Sequence, residues 1–215
     1  PWTYHDKDGK LTGFDVALGQ KIADKIGVKA NFVEGKWDGL LAGLDAGRYD
    51  LMINGVGITK ERAQAYSFSE PYAYDRVAVI VNGDRTDIRT MQDLRGKTTA
   101  NTISSTYAET AERYGARVTG VDDLNQTFEL LRAGRIDATL NSEVTYVDYT
   151  RAHPESGIKI ALFAPEAGEI GIPLKKGQQS ESLRQVVNDV IAEMKNSGEL
   201  AKISVQFFGI DITKK

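Results

Sequence analysis

An eleven-residue pattern that occurs twice constrains the fold of this chain more than any other feature. Residues 44–54 and 131–141 share a leucine, an Ala-Gly-Arg run, an aspartate and a final asparagine at matching positions. In each copy the glycine is typical of a helix end, and the apolar residues after it predict a strand and then a polar turn. Two such units predict an α/β protein with two lobes, each directing one turn toward a common cleft.

The two turns also predict where a ligand binds. Ligands of open α/β sheets lie beyond the carboxyl ends of the strands. In this sequence those ends are the turns after Ile53 and Leu140. The pattern therefore favours a ligand that lies in a cleft between the lobes and touches both turns.

The position of the two copies predicts the lobe boundaries. With one helix–strand unit in each lobe, residues 1–79 and 171–215 form one lobe and residues 80–170 form the other. Residues 77–81 and 171–174 are then the strands that cross from one lobe to the other.

The stretch from Asn54 to Arg62 combines features that suit a small polar ligand. It follows the apolar run 51–53, which predicts a buried strand. Gly55 and Gly57 allow the backbone to turn tightly and to approach a ligand closely. Arg62 provides a fixed cation whose planar fork suits a carboxylate. The stretch is equally compatible with a seat for an amino acid and with a glycine loop beside a solvated arginine.

Composition excludes several classes of function. The 215 residues carry a net charge of −3 with both signs interspersed, so there is no electrostatic case for binding nucleic acid or an anionic membrane. No apolar run approaches the ~20 residues of a membrane span. The absence of cysteine excludes disulfides and thiolate chemistry. With His5 and His153 as the only histidines, a histidine-based catalytic centre has few candidates.

The first part of the chain predicts a hairpin, a helix and a strand. Asp6 and Asp8 faintly resemble a calcium loop, but the closing glutamate is missing, so residues 5–10 are better interpreted as a hairpin turn. Asp15 is placed to cap the following helix. Residues 28–33 alternate in a way that predicts a strand.

The rest of the chain predicts a helix from Trp37, a strand over residues 98–101, and a helix from Tyr107 that follows the hydroxyl run 104–106. Free N–H groups at a hydroxyl-rich helix start can hold an anion, although such residues more often only cap the helix. The C-terminal helix is the clearest periodic signal, because apolar residues recur at helical spacing. These predicted core residues are Leu183, Val186, Val187, Val190, Ile191 and Met194.

Three motifs in combination resemble a known family. They are Gly-Phe-Asp-Val at residues 13–16, the glycine turn with its arginine at residues 54–62, and Phe-Ser-Glu-Pro-Tyr at residues 68–72. Together they resemble the bacterial extracellular solute-binding proteins that feed polar-amino-acid ABC importers. The resemblance covers essentially the whole chain. Similarity to the cystine-binding subgroup is carried by residues 36–39, 134–138 and 208–214.

This resemblance implies a type II periplasmic-binding-protein-like fold, in which two lobes joined by two strands close on one amino acid. By position in the family, Arg62 clamps the α-carboxylate with help from the backbone N–H groups of Gly57 and Thr106. Carbonyls near residues 54–55 accept hydrogen bonds from the α-amine, and aromatic side chains pack on the ligand, although Trp37 is also compatible with core packing. The ligand-binding residues are then Tyr4, Trp37, Asn54, Gly55, Gly57, Arg62, Ser105, Thr106, Ser142 and Glu143.

The sequence departs from the family pattern at the amine end. The family usually has Ser or Thr at the position of Gly57 and Asp at the position of Ser142. Without them, the α-amine is held weakly unless Glu143 supplies the charge. Members of the family also begin with a strand before the position of Pro1, and we expect the first lobe to be less stable without that strand.

The leading interpretation is a transport receptor without catalysis, which captures a polar amino acid, cystine-like by resemblance, and delivers it to the membrane permease. It implies no cofactor, metal or nucleic-acid partner, and a monomer. The expected location is periplasmic or extracellular, free or lipid-anchored, after removal of a signal peptide. The alternatives are an amino-acid-sensing domain of a receptor and a dehydratase on the same fold, with Glu143 and Glu169 as candidate acids.

Overall fold

The computed structural model describes residues 1–102 and 105–215, with Trp37 and Asp38 described by their backbone alone. The first elements are β1 (Tyr4–His5), β2 (Leu11–Thr12), α1 (Phe14–Ile26), α2 (Trp37–Asp45), α3 (Lys60–Ala65), β3 (Tyr66–Phe68) and β4 (Ala73–Asp75). The middle of the chain forms β5 (Val77–Asn82), a 3₁₀ turn (Met91–Leu94), β6 (Thr98–Thr102), α4 (Thr106–Arg113), β7 (Arg117–Val121), α5 (Leu124–Arg132), β8 (Thr139–Ser142), α6 (Glu143–Ala152) and β9 (Ile158–Phe163). The last elements are β10 (Gly168–Ile170), β11 (Pro173–Lys175), α7 (Gln178–Ser197) and α8 (Glu199–Phe208).

The chain forms two compact units. The first comprises Pro1–Tyr74 and Gly168–Lys215, and the second comprises Asp75–Ala167. The division thus lies a few residues earlier in the chain than the predicted boundaries. Residues 77–81 do not cross from one unit to the other, because strand pairing with β8 and β9 holds them inside the second unit. Residues 171–174 lead into β11, which pairs with β3 inside the first unit.

Helix α1 begins after Gly13, so the predicted cap at Asp15 is wrong. A Cβ at Gly13 would lie 2.3 Å from the carbonyl oxygen of Trp2, and the φ of 126° is one that L side chains rarely adopt. The chain therefore turns into the helix two residues earlier than the cap preference of aspartate suggests. Asp15 lies in the first helical turn and is buried next to Phe14.

Strands β1 and β2 form the predicted hairpin, in which Tyr4 pairs with Thr12. The turn uses the carboxylate of Asp6, whose Oδ1 accepts the backbone N–H groups of Asp8 and Lys10 at 2.9 Å each. An aspartate that bonds to the backbone a few residues ahead is typical of a tight turn. The acidic residues are thus explained by turn chemistry.

Residues 28–33 do not form the predicted strand. Within the part of the chain that the structure describes, no strand pairs with them, and Val28 and Val33 keep 55% and 53% of their surface exposed. Alternating side chains suit a half-buried strand, but a strand also needs a neighbour for its backbone N–H and C=O groups. The predicted strand at residues 51–53 is likewise reduced to an isolated bridge from Leu51 to Leu174.

Strand β5 is the centre of the second unit. It pairs antiparallel with β8 on one side and with β9 on the other. Because side chains alternate along a strand, Ala78 and Ile80 pack into one hydrophobic cluster while Val79 and Val81 pack into a second. All four residues are fully buried. Strands β6 and β7 form a parallel pair beside this sheet. Strand β6 corresponds to the predicted strand near residues 98–101.

The two copies of the repeat end their helices in the same way, as predicted. Gly47 after α2 and Gly134 after α5 have φ values of 74° and 72°. The N–H of each glycine donates to a leucine carbonyl at 3.1 Å, Leu44 in the first copy and Leu131 in the second. Both leucines are fully buried. Beyond the glycine the two copies differ, since only the second continues into a paired strand, β8.

Four of the six predicted core residues of α7 are buried, whereas Leu183 is half-buried and Val186 is exposed. Val187, Val190, Ile191 and Met194 are buried. Val186, at the edge of the stripe, keeps 39% of its surface exposed.

We expect Gly47→Ala and Gly134→Ala each to lower the free energy of unfolding by about 1–2 kcal/mol, because alanine is strained in the left-handed region. No atom lies within 4 Å of a Cβ built at either position, so the effect comes from the backbone alone. Urea denaturation followed by circular dichroism measures the change.

The matched control is Gly39→Ala, within helix α2. A Cβ at Gly39 also meets nothing within 4 Å, and its backbone is helical. This substitution should raise the free energy of unfolding by up to about 1 kcal/mol. The same sign of change at all three positions would contradict the helix-end assignment.

Candidate functional site

Gly55 is the tightest point of the turn that follows residues 51–53. Its φ of 56° favours glycine, and a Cβ there would lie 3.1 Å from the indole of Trp2. Trp2 makes edge contacts with Phe14 and Phe208, with ring centroids 5.8 and 4.8 Å away. The turn therefore rests on an aromatic cluster that fixes its backbone from one side.

Helix α3 returns Arg62 to this turn. The side chain of Thr59 caps the helix by accepting the backbone N–H of Arg62 at 3.1 Å. The Arg62 Nη1 then donates to the carbonyl of Gly57 at 2.9 Å. Because a guanidinium carries five N–H donors in a fixed fork, Arg62 can keep this bond while it binds a carboxylate. Sequence and structure thus bring the predicted anchor and the predicted glycine together.

The beginning of β10 holds the turn from the other side. The N–H of Ile58 donates to the carbonyl of Glu169 at 2.7 Å, and the N–H of Gly171 donates to the carbonyl of Val56 at 3.1 Å. These bonds involve the backbone of Glu169, one of the two candidate acids. The turn is therefore fixed by backbone bonding to a segment distant in sequence.

Asp15 connects the turn to the Phe-Ser-Glu-Pro-Tyr motif. Its Oδ1 accepts the hydroxyl of Tyr72 at 2.8 Å, while its Oδ2 has no hydrogen-bond partner among the described residues. Burial raises the pKa of Asp15 to about 7, and the Tyr72 hydroxyl and the backbone of Gly55 act in the opposite direction. Burial, together with the charge of Asp15, raises the pKa of Tyr72 well above its usual value.

A cavity of about 740 Å³ in the first unit contains two of the predicted residues but not the arginine. Tyr4 and Asn54 line it together with Asp15, side chains of α1 and residues 28–35. Arg62 is not among the described residues that line it. The volume is typical of small-molecule sites, but a carboxylate in this cavity would lack the guanidinium. The cavity is therefore a separate feature of the first unit.

Ser105 and Thr106 begin helix α4, one residue earlier than predicted. The Oγ of Ser105 accepts the backbone N–H of Ala108 at 3.1 Å, so this hydroxyl caps the helix. Thr106 is exposed. The rest of the predicted hydroxyl run, Ser104, lies outside the described residues, as does the side chain of Trp37.

Ser142 and Glu143 lie at the start of helix α6. The Oγ of Ser142 accepts the backbone N–H of Thr145 at 3.1 Å and caps the helix. The carboxylate of Glu143 accepts Nε and Nη2 of Arg76 at 3.1 and 2.6 Å. Arg76 also lies over the ring of Phe163, with 3.7 Å from the guanidinium carbon to the centroid. Both predicted residues thus have structural partners inside the second unit.

Asp75 and Tyr107 form a polar pair that the sequence patterns did not indicate. The Tyr107 hydroxyl donates to Oδ2 of Asp75 at 3.5 Å. Burial raises the pKa of Asp75, the Tyr107 hydrogen bond lowers it, and the charge of Glu143 raises it. Burial and the charge of Asp75 raise the pKa of Tyr107 to about 12. The only signal in the sequence is an aspartate two residues before the apolar run 77–81.

The described residues contain no group of three or more His, Cys, Asp or Glu side chains that could hold a metal ion. None of the helices in the described ranges is long and apolar enough to cross a membrane. The glycine turn of the first unit presents the guanidinium of Arg62 and backbone amides. These groups suit the carboxylate of a small polar molecule.

A family model for bacterial extracellular solute-binding proteins, family 3, matches residues 1–210. The chain belongs to this family. The match spans nearly the whole sequence and confirms the family that the three motifs predicted. This solute-binding protein can therefore be compared with relatives along its entire length.

Two curated relatives and one solved structure illustrate the similarity. The chain is 37% identical over 214 residues to a probable amino-acid ABC transporter-binding protein of Haemophilus influenzae, covering 100% of this chain and 82% of the relative. It is 37% identical over 215 residues to the L-cystine-binding protein TcyA of Bacillus subtilis, covering 100% and 79%. The crystal structure of the L-cystine solute receptor of Neisseria gonorrhoeae, unliganded and open, aligns with a TM-score of 0.90 at 39% identity, covering 100% and 91%. The predicted fold class and the resemblance to cystine-binding proteins are confirmed.

We expect Asp15 to make the stability of this solute-binding protein fall as pH rises. Its folded pKa of about 7 lies above the ordinary value of 3.8, so the folded state keeps a proton that the unfolded state loses. The resulting stabilisation is fully present below about pH 4 and is lost as pH rises through about 7. Asp15→Asn resembles the protonated form and should remove this loss. Relative to wild type, its free energy of unfolding should rise by roughly 2–4 kcal/mol from about pH 4 to about pH 8.

Urea denaturation at a series of pH values measures this difference. Asp24→Asn is the matched control, because Asp24 lies on the same helix and is exposed. This control should keep the pH dependence of the wild type. If Asp15→Asn also keeps it, Asp15 is not the titrating group.

Proposed function

We propose that this chain is the substrate-binding protein of an ABC importer and that it captures a polar amino acid, with L-cystine as the favoured ligand. Membership of the solute-binding family over residues 1–210 supports the transport role. The L-cystine-binding relatives, which match the chain over its full length, support the choice of ligand.

The observation that carries this proposal is the position of Arg62 beside the glycine turn. Its bond to the Gly57 carbonyl orients the guanidinium before a ligand arrives. An oriented guanidinium loses little conformational freedom on binding, and its planar fork matches a carboxylate with two parallel hydrogen bonds. The turn that supports it is held by the backbone of the β10 segment. This arrangement suits the α-carboxylate of an amino acid.

We assign a binding role without catalysis. A dehydratase needs an acid that is placed to donate a proton to the ligand. The carboxylate of Glu143 is engaged by Arg76, and Glu169 contacts the turn through its backbone carbonyl. Neither arrangement supports the enzymatic alternative.

The proposed protein works as a monomer in the periplasm or outside the cell, either free or lipid-anchored. It binds one amino acid, closes its two lobes on that ligand and delivers the ligand to the membrane permease of the transporter. Ligand binding thus increases the fraction of molecules in the closed form, which is the form that the permease accepts.

A thermal-shift panel of the twenty amino acids and L-cystine tests this function. A ligand at a hundredfold excess over its Kd adds about 2.7 kcal/mol of stability. For a chain of this size that corresponds to a rise in Tm of roughly 5–10 °C. We expect L-cystine to give the largest rise, and a panel without any rise would contradict the proposal.

Arg62→Ala should remove most of the rise that L-cystine causes. Loss of one partner of a desolvated charge pair weakens binding by roughly 2–5 kcal/mol, which is well over tenfold in Kd. Arg48→Ala is the matched control, because Arg48 is an exposed arginine of the same unit, and it should leave the rise intact. Equal rises in Tm for the wild type and Arg62→Ala would show that another group holds the carboxylate.

A further inference from the structure

Two extended stretches of the first unit leave backbone groups unpaired beside the same cavity. Residues 29–33 form no backbone hydrogen bond with any other described residue. Residues 51–53 bond on one edge, where the N–H of Met52 donates to the carbonyl of Pro173 at 3.2 Å. Because the backbone groups of successive strand residues point to opposite edges, the groups on either side of Met52 face away from β11. Both stretches therefore present a free strand edge among the described residues.

The two stretches lie over the same helix. A Cβ built at Gly19 of α1 would lie 3.0 Å from Cε1 of Phe32 and 3.4 Å from Cδ1 of Ile53. Side chains from both stretches thus reach one residue of α1, which places the stretches in one layer on that helix. The cavity of about 740 Å³ is lined by both stretches and by α1. It is therefore a slot with two strand edges as its walls and a helix as its floor.

The walls of this slot match an extended peptide. Donors and acceptors recur along a strand edge at every second residue, and a peptide backbone offers the same repeat on both of its own edges. A free amino acid, with one amine and one carboxylate, does not. Residues 28–33 span roughly 20 Å when extended. The matching occupant therefore has about six residues.

The floor of the slot indicates the side chains of the occupant. Phe32 reaches α1 but keeps 41% of its surface exposed. An apolar residue at every second position of an added strand would pack toward α1 and cover part of this surface. Asp15 also lines the cavity, is 1% exposed, and has no hydrogen-bond partner for Oδ2 among the described residues. A donor in the occupant would satisfy this buried oxygen.

We propose that the cavity accepts an extended peptide segment from outside residues 1–215, which adds as a β-strand between residues 28–33 and 51–53. Strand addition is a general mode of peptide recognition, in which backbone hydrogen bonds give affinity and side-chain pockets give specificity. The added strand supplies the neighbour that residues 28–33 lack. Since Arg62 is not among the described residues that line the cavity, this inference goes beyond the proposed amino-acid-binding function.

Fluorescence anisotropy on the purified chain tests the proposal. The probe is the peptide Lys-Val-Thr-Val-Thr-Val-Thr-Lys with a fluorescent label at its N-terminus and an amidated C-terminus, so it has the alternation of a strand and no α-carboxylate. The control peptide has proline in place of the second valine, which removes one N–H from the strand. We expect saturable binding of the probe and a Kd roughly tenfold higher for the control. Equal binding of the two peptides, or no binding of the probe, would overturn the proposal.

Two adjacent substitutions in the chain test the pairing itself. Ala30→Pro and Asn31→Pro each remove a backbone N–H that donates to no described residue, so neither breaks a described hydrogen bond. Only one of these two N–H groups can face the slot, because they point to opposite edges. We expect one variant to raise the Kd of the probe roughly fivefold and the other to bind it as the wild type does. Equal Kd values for the two variants would contradict strand pairing, and the two peptides test the proposal even where a variant does not fold.

Two other outcomes would assign the cavity to a different occupant. A dimer of the chain in sedimentation velocity, dissociated by the probe, would assign it to a second copy and overturn the proposal. Displacement of the probe by L-cystine would assign it to the amino-acid ligand and overturn the proposal as well. A chain that binds the probe but not L-cystine would contradict the proposed function and support this inference.

Discussion

The backbone hydrogen bonds between the glycine turn and the β10 segment are the interactions on which the first unit depends. The N–H of Ile58 donates to Glu169, and the N–H of Tyr72 donates to the neighbouring carbonyl of Ile170 at 2.9 Å. One returning segment therefore holds both the turn and the Phe-Ser-Glu-Pro-Tyr motif. Since this segment follows the whole second unit in sequence, the first unit is completed only by non-local contacts.

Because the glycine turn is held in place, the guanidinium of Arg62 can bind a ligand with little rearrangement of the backbone. Arg62 is oriented by its bond to Gly57, while Asp15 and Tyr72 support the neighbouring backbone from the buried side. An oriented guanidinium next to the backbone groups of the turn suits the carboxylate of a small ligand.

The features that could be predicted from the sequence depend on local chemistry. The glycine helix ends of the repeat, the stripe of α7 and the turn with its arginine each lie within one short stretch. The prediction of a strand at residues 28–33 was wrong, because alternating apolar and polar side chains do not provide a neighbouring strand for the backbone to pair with. The burial of Asp15 under Tyr72 and the pairing of Asp75 with Tyr107 join residues far apart in the chain. No periodicity or motif in one sequence reports such contacts.

A crystal structure of the chain with L-cystine bound would test the binding mechanism directly. We expect one ligand carboxylate to lie within about 3.2 Å of two guanidinium nitrogens of Arg62. A ligand whose carboxylate is held away from Arg62, for example in the 740 Å³ cavity beside α1, would contradict the central role of the glycine turn.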